Sequence, residues 1–275
     1  MSKVIIVTGA SSGIGKATAL HLIKEGHTVY GAARRLEKMQ DIVEAGGKAV
    51  AMDVTNHQQV HAEVEQIIKT EGRVDVLVNN AGYAVYGPVE EISYEQAKRQ
   101  FEVNLFGLAE ITKAVLPAMR AQQSGTIINI SSVGGKIYTP LGSWYHATKH
   151  ALEGWSDCLR LEVKQFGINV VIVEPGAIKT EFDSAMDQRF GEDASGPYSR
   201  LKSSMSKVME NAYKPGNYSE PIVIAETISK AINSRRPKTR YAAGKMARQT
   251  LMGRRWLSDR GFDGMIMRMI NNMAK

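Results

Sequence analysis

The chain has 275 residues, 43% hydrophobic and 23% charged, the proportions of one globular unit with a sizeable core, which excludes a disordered or collagen-like chain. No run approaches the roughly 18 uncharged apolar residues of a membrane span, and Met1-Ser2-Lys3 passes straight into Val4-Ile5-Ile6-Val7, so a cytoplasmic protein is expected. The formal net charge of +7 is uneven: Lys245 to Lys275 carries seven basic residues against Asp259 and Asp263, which places most of the excess in the tail.

The first apolar run, Val4–Val7, leads into Thr8-Gly9-Ala10-Ser11-Ser12-Gly13-Ile14-Gly15. Glycines at that point let a backbone approach phosphates, and the amides opening the next helix meet negative charge, as in a dinucleotide site. The second run, Thr28–Ala33, ends in Arg34-Arg35. No carboxylate stands there to hold two ribose hydroxyls, and a guanidinium pairs with a 2′-phosphate, so NADP is expected over NAD; the alternative is two solvated charges opening a helix. A third run, Ala49–Met52, precedes Asp53-Val54-Thr55-Asn56, where Asp53 serves either the adenine amine or a helix cap.

Val74–Val78, Thr126–Ile130 and Ile168–Val173 complete six strands. Between them apolar residues recur at three and four, as in Val60, Val64, Ile67 and Ile68, or Phe101, Leu105, Leu108 and Val115, which is helical periodicity. Continuously apolar strands alternating with helices predict a Rossmann-like, doubly wound parallel sheet, brought to about seven strands by a short one at Thr239–Ala242. Residues 1–244 are expected to form this domain, with a helix from Pro221 to about Asn233, and 245–275 a basic amphipathic extension. Gly176–Tyr218, polar and rich in Gly and Pro, reads as one long substrate loop. Cys158 lies in a helical stretch and is expected to be buried and inert.

Reducing a carbonyl needs an acid poised near neutral pH, and tyrosine becomes one when a cation lies close. Tyr145 and Lys149 share a helical face at i and i+4. Tyr94/Lys98, Tyr198/Lys202 and Tyr241/Lys245 have the same spacing, but only Tyr145 follows a strand whose carboxyl end presents hydroxyls, Ser131 and Ser132, where open α/β sheets bind ligands. Tyr83, Tyr86, Tyr138, Leu141, Trp144 and Phe182 would give the surrounding loops an apolar wall suited to a hydrophobic substrate; the same residues would also serve to pack the loops. No metal site is expected.

With these motifs in order, residues 3 to 244 resemble the short-chain dehydrogenase/reductase family. Thr8–Gly15 matches its glycine motif, Asn79-Asn80-Ala81-Gly82 its strand-four motif, and Pro175-Gly176 with Thr180 its nicotinamide-side loop. The resemblance implies NADP(H)-dependent oxidoreduction of carbonyls and alcohols. Tyr145 would be the acid or base and Lys149 would tune it and hold the nicotinamide ribose. Ser132 would polarise the carbonyl, and Asn104 would support a water relay to Lys149. It further implies cofactor contacts from Gly9, Ser11, Ser12, Gly13, Ile14, Gly15, Arg34, Arg35, Asp53, Val54, Asn80, Ala81, Gly82, Pro175, Gly176, Ile178 and Thr180. Val173-Glu174-Pro175-Gly176, Ala33-Arg34-Arg35 and Thr239-Arg240-Tyr241 look like the 17-beta-hydroxysteroid dehydrogenase-like branch, whose members act on steroids, retinoids and other apolar carbonyls. A homodimer or homotetramer is implied, through the helices Tyr94–Met119 and Ser143–Phe166. A non-catalytic NADP sensor or scaffold is the alternative function. For the tail, packing over the substrate loop, contact with an anionic membrane surface and contact with nucleic acid compete; no nucleic-acid motif accompanies the charge.

Overall fold

A computed structural model describes residues 2–180 and 196–273. Among these, seven strands form one sheet: β1 (Val4–Thr8), β2 (Thr28–Ala33), β3 (Lys48–Ala51), β4 (Val76–Asn79), β5 (Gly125–Ile130), β6 (Ile168–Pro175) and β7 (Arg240–Ala243). Their order is β3-β2-β1-β4-β5-β6-β7 and every pair is parallel. The helices are α1 (Gly13–Lys24), α2 (Gln40–Glu44), α3 (His57–Glu71), α4 (Tyr94–Phe101), α5 (Leu108–Ala121), α6 (Ser143–Val163), α7 (Ser199–Ala212), α8 (Ile222–Ile232), α9 (Ala247–Trp256) and α10 (Asp259–Met273).

Successive strand residues point to opposite faces, and both faces are covered. Ile5 and Val7 pack with Leu22 of α1 and with Ile224 and Ile228 of α8. Ile6 turns the other way, onto Val64 of α3, Ile111 and Val115 of α5 and Leu159 of α6. This explains the unbroken apolar strands. The strand order reverses between β1 and β4, which opens a crevice at the carboxyl ends, the usual ligand position of such sheets.

Helices α4 and α5 join through a π turn at Glu102–Gly107. Gly107 is required there, because a Cβ would stand 2.7 Å from the carbonyl oxygen of Val54.

Two expectations need correction. The segment after Pro175 is not a loop throughout: Ser199–Ala212 is helical, and Leu201, Met205, Val208 and Met209 supply its inner face. Tyr198 is the residue before that helix, and its partner in spacing, Lys202, is buried in an ion pair with Glu91, 2.5 Å away. Cys158 is exposed, since the buried stripe of α6 runs through Leu152, Ser156, Leu159 and Val163 and passes it by. Residues 181–195, including Phe182, lie outside the described residues. Among the described residues no helix is long and apolar enough to cross a membrane.

Candidate active site

At the end of β1 the backbone turns sharply through Gly9 (φ +66°) and Gly13 (φ +54°) into α1. A Cβ on Gly15 would lie 2.3 Å from the Gly9 carbonyl oxygen and 2.5 Å from Asn80 Nδ2, so the loop closes only with glycine. Ser12 precedes α1 without a side-chain cap, which leaves first-turn amides to other acceptors. Asn80 Nδ2 donates to the carbonyls of Thr8 (3.0 Å) and Gly9 (3.3 Å), and the amides of Asn80 and Ala81 donate to Thr8 Oγ1 at 3.0 Å. The β4 loop thus braces the glycine loop. From the far side Thr180 approaches, 3.2 Å from where a Gly13 Cβ would stand.

Arg34 and Arg35 are exposed at the end of β2, and Arg35 Nη2 reaches Ser11 Oγ at 3.5 Å. Asp53 Oδ1 accepts from the Thr55 amide (2.9 Å) and hydroxyl (2.7 Å), while Asp53 Oδ2 lies 3.4 Å from Arg99 Nη2. Partial burial opposes its ionisation, but the Thr55 hydrogen bonds and the Arg99 and Arg34 charges outweigh it and hold the carboxyl below its ordinary range. The cap of α3 is Asn56, whose side chain accepts from Gln59. Val54 is buried beside Gly107.

On the nicotinamide side, Gly176 donates its amide to Ala243 (2.9 Å), and a Cβ on it would fall 2.1 Å from the Lys245 carbonyl. Pro175 ends β6, and Ile178 is buried and paired with Ser219.

Helix α6 carries Tyr145 and Lys149 on one face, each 8% exposed. Lys149 Nζ donates to the Ile130 carbonyl (2.8 Å) at the end of β5. Burial pushes its ammonium down to about 8, against the pull of Glu153. Ser132 Oγ accepts from the Gly134 amide at 3.0 Å, a use of its lone pair that leaves its proton for another acceptor. Asn104, in the π turn, accepts from the Tyr83 amide (3.0 Å) and donates to the Tyr83 carbonyl (2.8 Å) and Thr148 Oγ1 (3.3 Å). Its side chain thereby ties the β4 loop to α6, and a π turn at a functional position is a recurrent device.

A buried polar chain fixes the height of α6 over the sheet. Asn79 Nδ2 donates to Asn129 Oδ1 (2.9 Å) and Thr112 Oγ1 (3.0 Å), and Asn129 Nδ2 donates to Ser156 Oγ (2.8 Å). His146, not singled out in the sequence, clamps the Ser132 segment. Its Nε2 accepts from the Thr139 amide (3.1 Å), so Nδ1 carries the proton toward the Gly134 carbonyl, 2.9 Å away. Burial lowers its pKa against that hydrogen bond, which favours the neutral ring.

Beside Tyr145 lies an apolar cluster of Ala84, Tyr86, Ile137, Leu141, Met205, Phe262, Ile266 and Ile270. Tyr86 sits 5.6 Å from the Tyr145 ring, and Tyr138 meets Phe262 edge-on at 5.1 Å. The tail therefore packs over the site through α10. Trp144 turns instead onto Phe101, at 6.4 Å.

A glycine-rich turn, a strand-end serine and a buried tyrosine–lysine pair thus meet at the carboxyl ends of a doubly wound parallel sheet. The chain belongs to the short chain dehydrogenase family, whose model matches residues 3–190. It is 38% identical over 261 residues to a 3-ketodihydrosphingosine reductase of Bacteroides thetaiotaomicron, covering 94% of each chain. It is also similar to a solved short-chain dehydrogenase from Streptomyces avermitilis, with 38% identity, 92% of each chain covered and a TM-score of 0.80. A serine dehydrogenase solved with NADP+ shares 27% identity, covers 86% of this chain and 92% of its own, and gives a TM-score of 0.75. The residues present fit a dinucleotide: the turn through Gly9 and Gly13 brings the uncapped first-turn amides of α1 to the end of β1, with Arg35 3.5 Å from Ser11 in that loop.

Proposed function

We propose that this chain is an NADP(H)-dependent reductase that interconverts an apolar ketone or aldehyde and its alcohol. The observation that carries this reading is the burial of Tyr145 and Lys149 together at the end of β5, against an apolar wall. Bound NADPH would supply a hydride at the carbonyl carbon. Gly9, Ser11, Ser12, Gly13, Ile14 and Gly15 would hold its phosphates and Asp53 with Val54 its adenine. Asn80, Ala81, Gly82, Pro175, Gly176, Ile178 and Thr180 would line the remainder. Arg34 and Arg35 would take the 2′-phosphate, since a forked guanidinium suits that group.

The chain's own residues manage the oxygen. Ser132 directs its hydroxyl proton at the substrate oxygen and polarises it. Tyr145 delivers its proton as negative charge develops there, and the Lys149 ammonium stabilises the tyrosinate left behind. Asn104 holds the π turn from which a water relay would restore the proton. The alcohol-to-ketone direction runs these steps in reverse.

The cluster beside Tyr145 favours an apolar substrate, in keeping with the name of the Bacteroides relative and with the 17-beta-hydroxysteroid dehydrogenase-like features of the sequence. The test is cofactor oxidation, with NADPH and NADH in parallel, against carbonyls running from short polar to long-chain, retinoid and steroid. Turnover confined to short polar members would refute the apolar reading.

The same proposal includes a homodimer through the outer faces of α4, the π turn, α5 and α6, where Phe106 is 49% and Leu161 70% exposed. A monomer by sedimentation would contradict it. It also includes peripheral contact with anionic lipid through Met252 and Trp256, the latter 80% exposed, on the helix that also carries Arg248 and Arg255. Equal vesicle binding by a Met252→Ser/Trp256→Ser variant would remove that element.

A further inference from the structure

Behind the tyrosine–lysine pair, α6 continues with Glu153 and Asp157, so that Tyr145, Lys149, Glu153 and Asp157 recur every fourth residue on one face. Glu153 is 3% exposed, and its Oε2 lies 3.0 Å both from Lys136 Nζ, in the segment after β5, and from Arg240 Nε of β7. Arg240 also bonds Asp157 (Nη2–Oδ2 2.7 Å), which is paired in turn with Arg160. Glu174 of β6, 4% exposed, brings a second carboxylate to 3.9 Å from Arg240 Nε. Carboxylates and cations from four segments of the chain thus meet one helical turn from Lys149.

Burying such groups is costly, and a packed apolar cluster of equal volume would hold these elements together as well. Their arrangement is also polarised. Glu153 Oε2 takes both external cations, whereas Glu153 Oε1 is buried without a hydrogen-bond partner, as is Ser131 Oγ. A Cβ on Gly135 would lie 2.7 Å from Ser131 Oγ, 3.0 Å from Glu153 Cγ and 3.1 Å from the Lys149 carbonyl oxygen. Gly135 therefore packs its backbone against both the Glu153 side chain and the Lys149 turn, with no room for a side chain between them.

We propose that Glu153 is a positioning residue for the Tyr145–Lys149 pair, whose carboxylate, anchored by Lys136 and Arg240, holds the buried Lys149 ammonium charged and in place. This rests on the reductase reading for its consequence in catalysis, but not for the coupling itself. The direction agrees with the balance at Lys149, where burial lowers the pKa and Glu153 raises it. The groups facing Glu153 are Lys149 and Asp157 on its own helix, Lys136 after β5, Glu174 on β6 and Arg240 on β7.

The variant is Glu153→Gln, which keeps shape and removes charge; Lys136 and Arg240 are 37% and 27% exposed and can turn to solvent. Glu153→Asp keeps the charge and serves as the rescue. Two readouts are taken on the full chain. The first is the fraction of Lys149 acylated by a trace of acetic anhydride as a function of pH, read by mass spectrometry without substrate. The second is the alkaline limb of kcat/KM. In Glu153→Gln both midpoints should fall by about one pH unit, and Glu153→Asp should recover most of the shift. Unchanged acylation midpoints in a Glu153→Gln protein with native melting would overturn the proposal. An acylation shift without any turnover in the wild-type chain would leave the coupling standing and remove the reductase reading. If neither variant folds, the same acylation titration on Arg240→Gln, which frees Glu153 of one anchor, must show a shift for the proposal to survive.

Discussion

In the proposed function, Arg35 is the residue on which cofactor choice turns. Its guanidinium stands beside Ser11 and no carboxylate ends β2, so Arg35→Ala should raise KM for NADPH about tenfold or more while leaving KM for NADH nearly unchanged, as the loss of a charge-assisted pair predicts. Equal changes for both cofactors would place Arg35 outside the 2′-phosphate site. Tyr145, Lys149 and Ser132 were visible because their chemistry is local: a helical i, i+4 pair following a strand end. The Glu153 cluster was not, because Lys136, Glu174 and Arg240 arrive from separate segments and only Lys149/Glu153/Asp157 share a recognisable spacing. His146 was hidden for a similar reason, as its partners at Gly134 and Thr139 are backbone groups. Cys158 departs from expectation because helical amphipathicity alone does not fix the phase of the buried stripe, and its neighbour Leu159 occupies the buried position.

Among the elements, strands were legible and lids were not. Apolar runs located six strands to within two residues at each end, and the short seventh was expected at Thr239–Ala242 against an observed Arg240–Ala243. The π turn at Glu102–Gly107 has no sequence signature beyond Gly107, whose reason is a backbone approach from Val54. Helix α7 did have a signal, apolar residues at 201, 205, 208 and 209, but surrounding glycines and prolines obscured it. Helix α10 covers the site with Phe262, 0% exposed against Tyr138. Phe262→Ala should therefore cost about 3 kcal/mol in chemical denaturation and raise KM for apolar carbonyls more than for short ones. A loss of stability with no change in that ratio would make α10 packing alone.

For the whole molecule, two buried charges oppose each other across the pH scale. Burial and the Glu153 charge push Glu174 up to about 7, so the folded chain binds more protons than the unfolded one between about 4.5 and 7, and this contribution to stability is lost as pH rises through that window. Lys149, lowered to about 8, binds fewer protons when folded between about 8 and 10.5, and its contribution rises with pH there. Each is worth on the order of 3 kcal/mol. Relative to wild type, Glu174→Gln should flatten the acid-side slope of the unfolding free energy and Lys149→Met the alkaline one; parallel curves for all three proteins would contradict both assignments.

In the proposed function, Tyr145 gives the proton for carbonyl reduction with NADPH held at the glycine loop. The direct measurement is NADPH oxidation by the wild-type chain and by Tyr145→Phe with a long-chain ketone, alongside NADPH titration of both. Turnover should fall at least about a hundredfold in Tyr145→Phe, with NADPH binding preserved. Undiminished turnover, or tight NADPH binding without turnover of any carbonyl by the wild-type chain, would contradict that role, the second result pointing to a cofactor-binding sensor or scaffold.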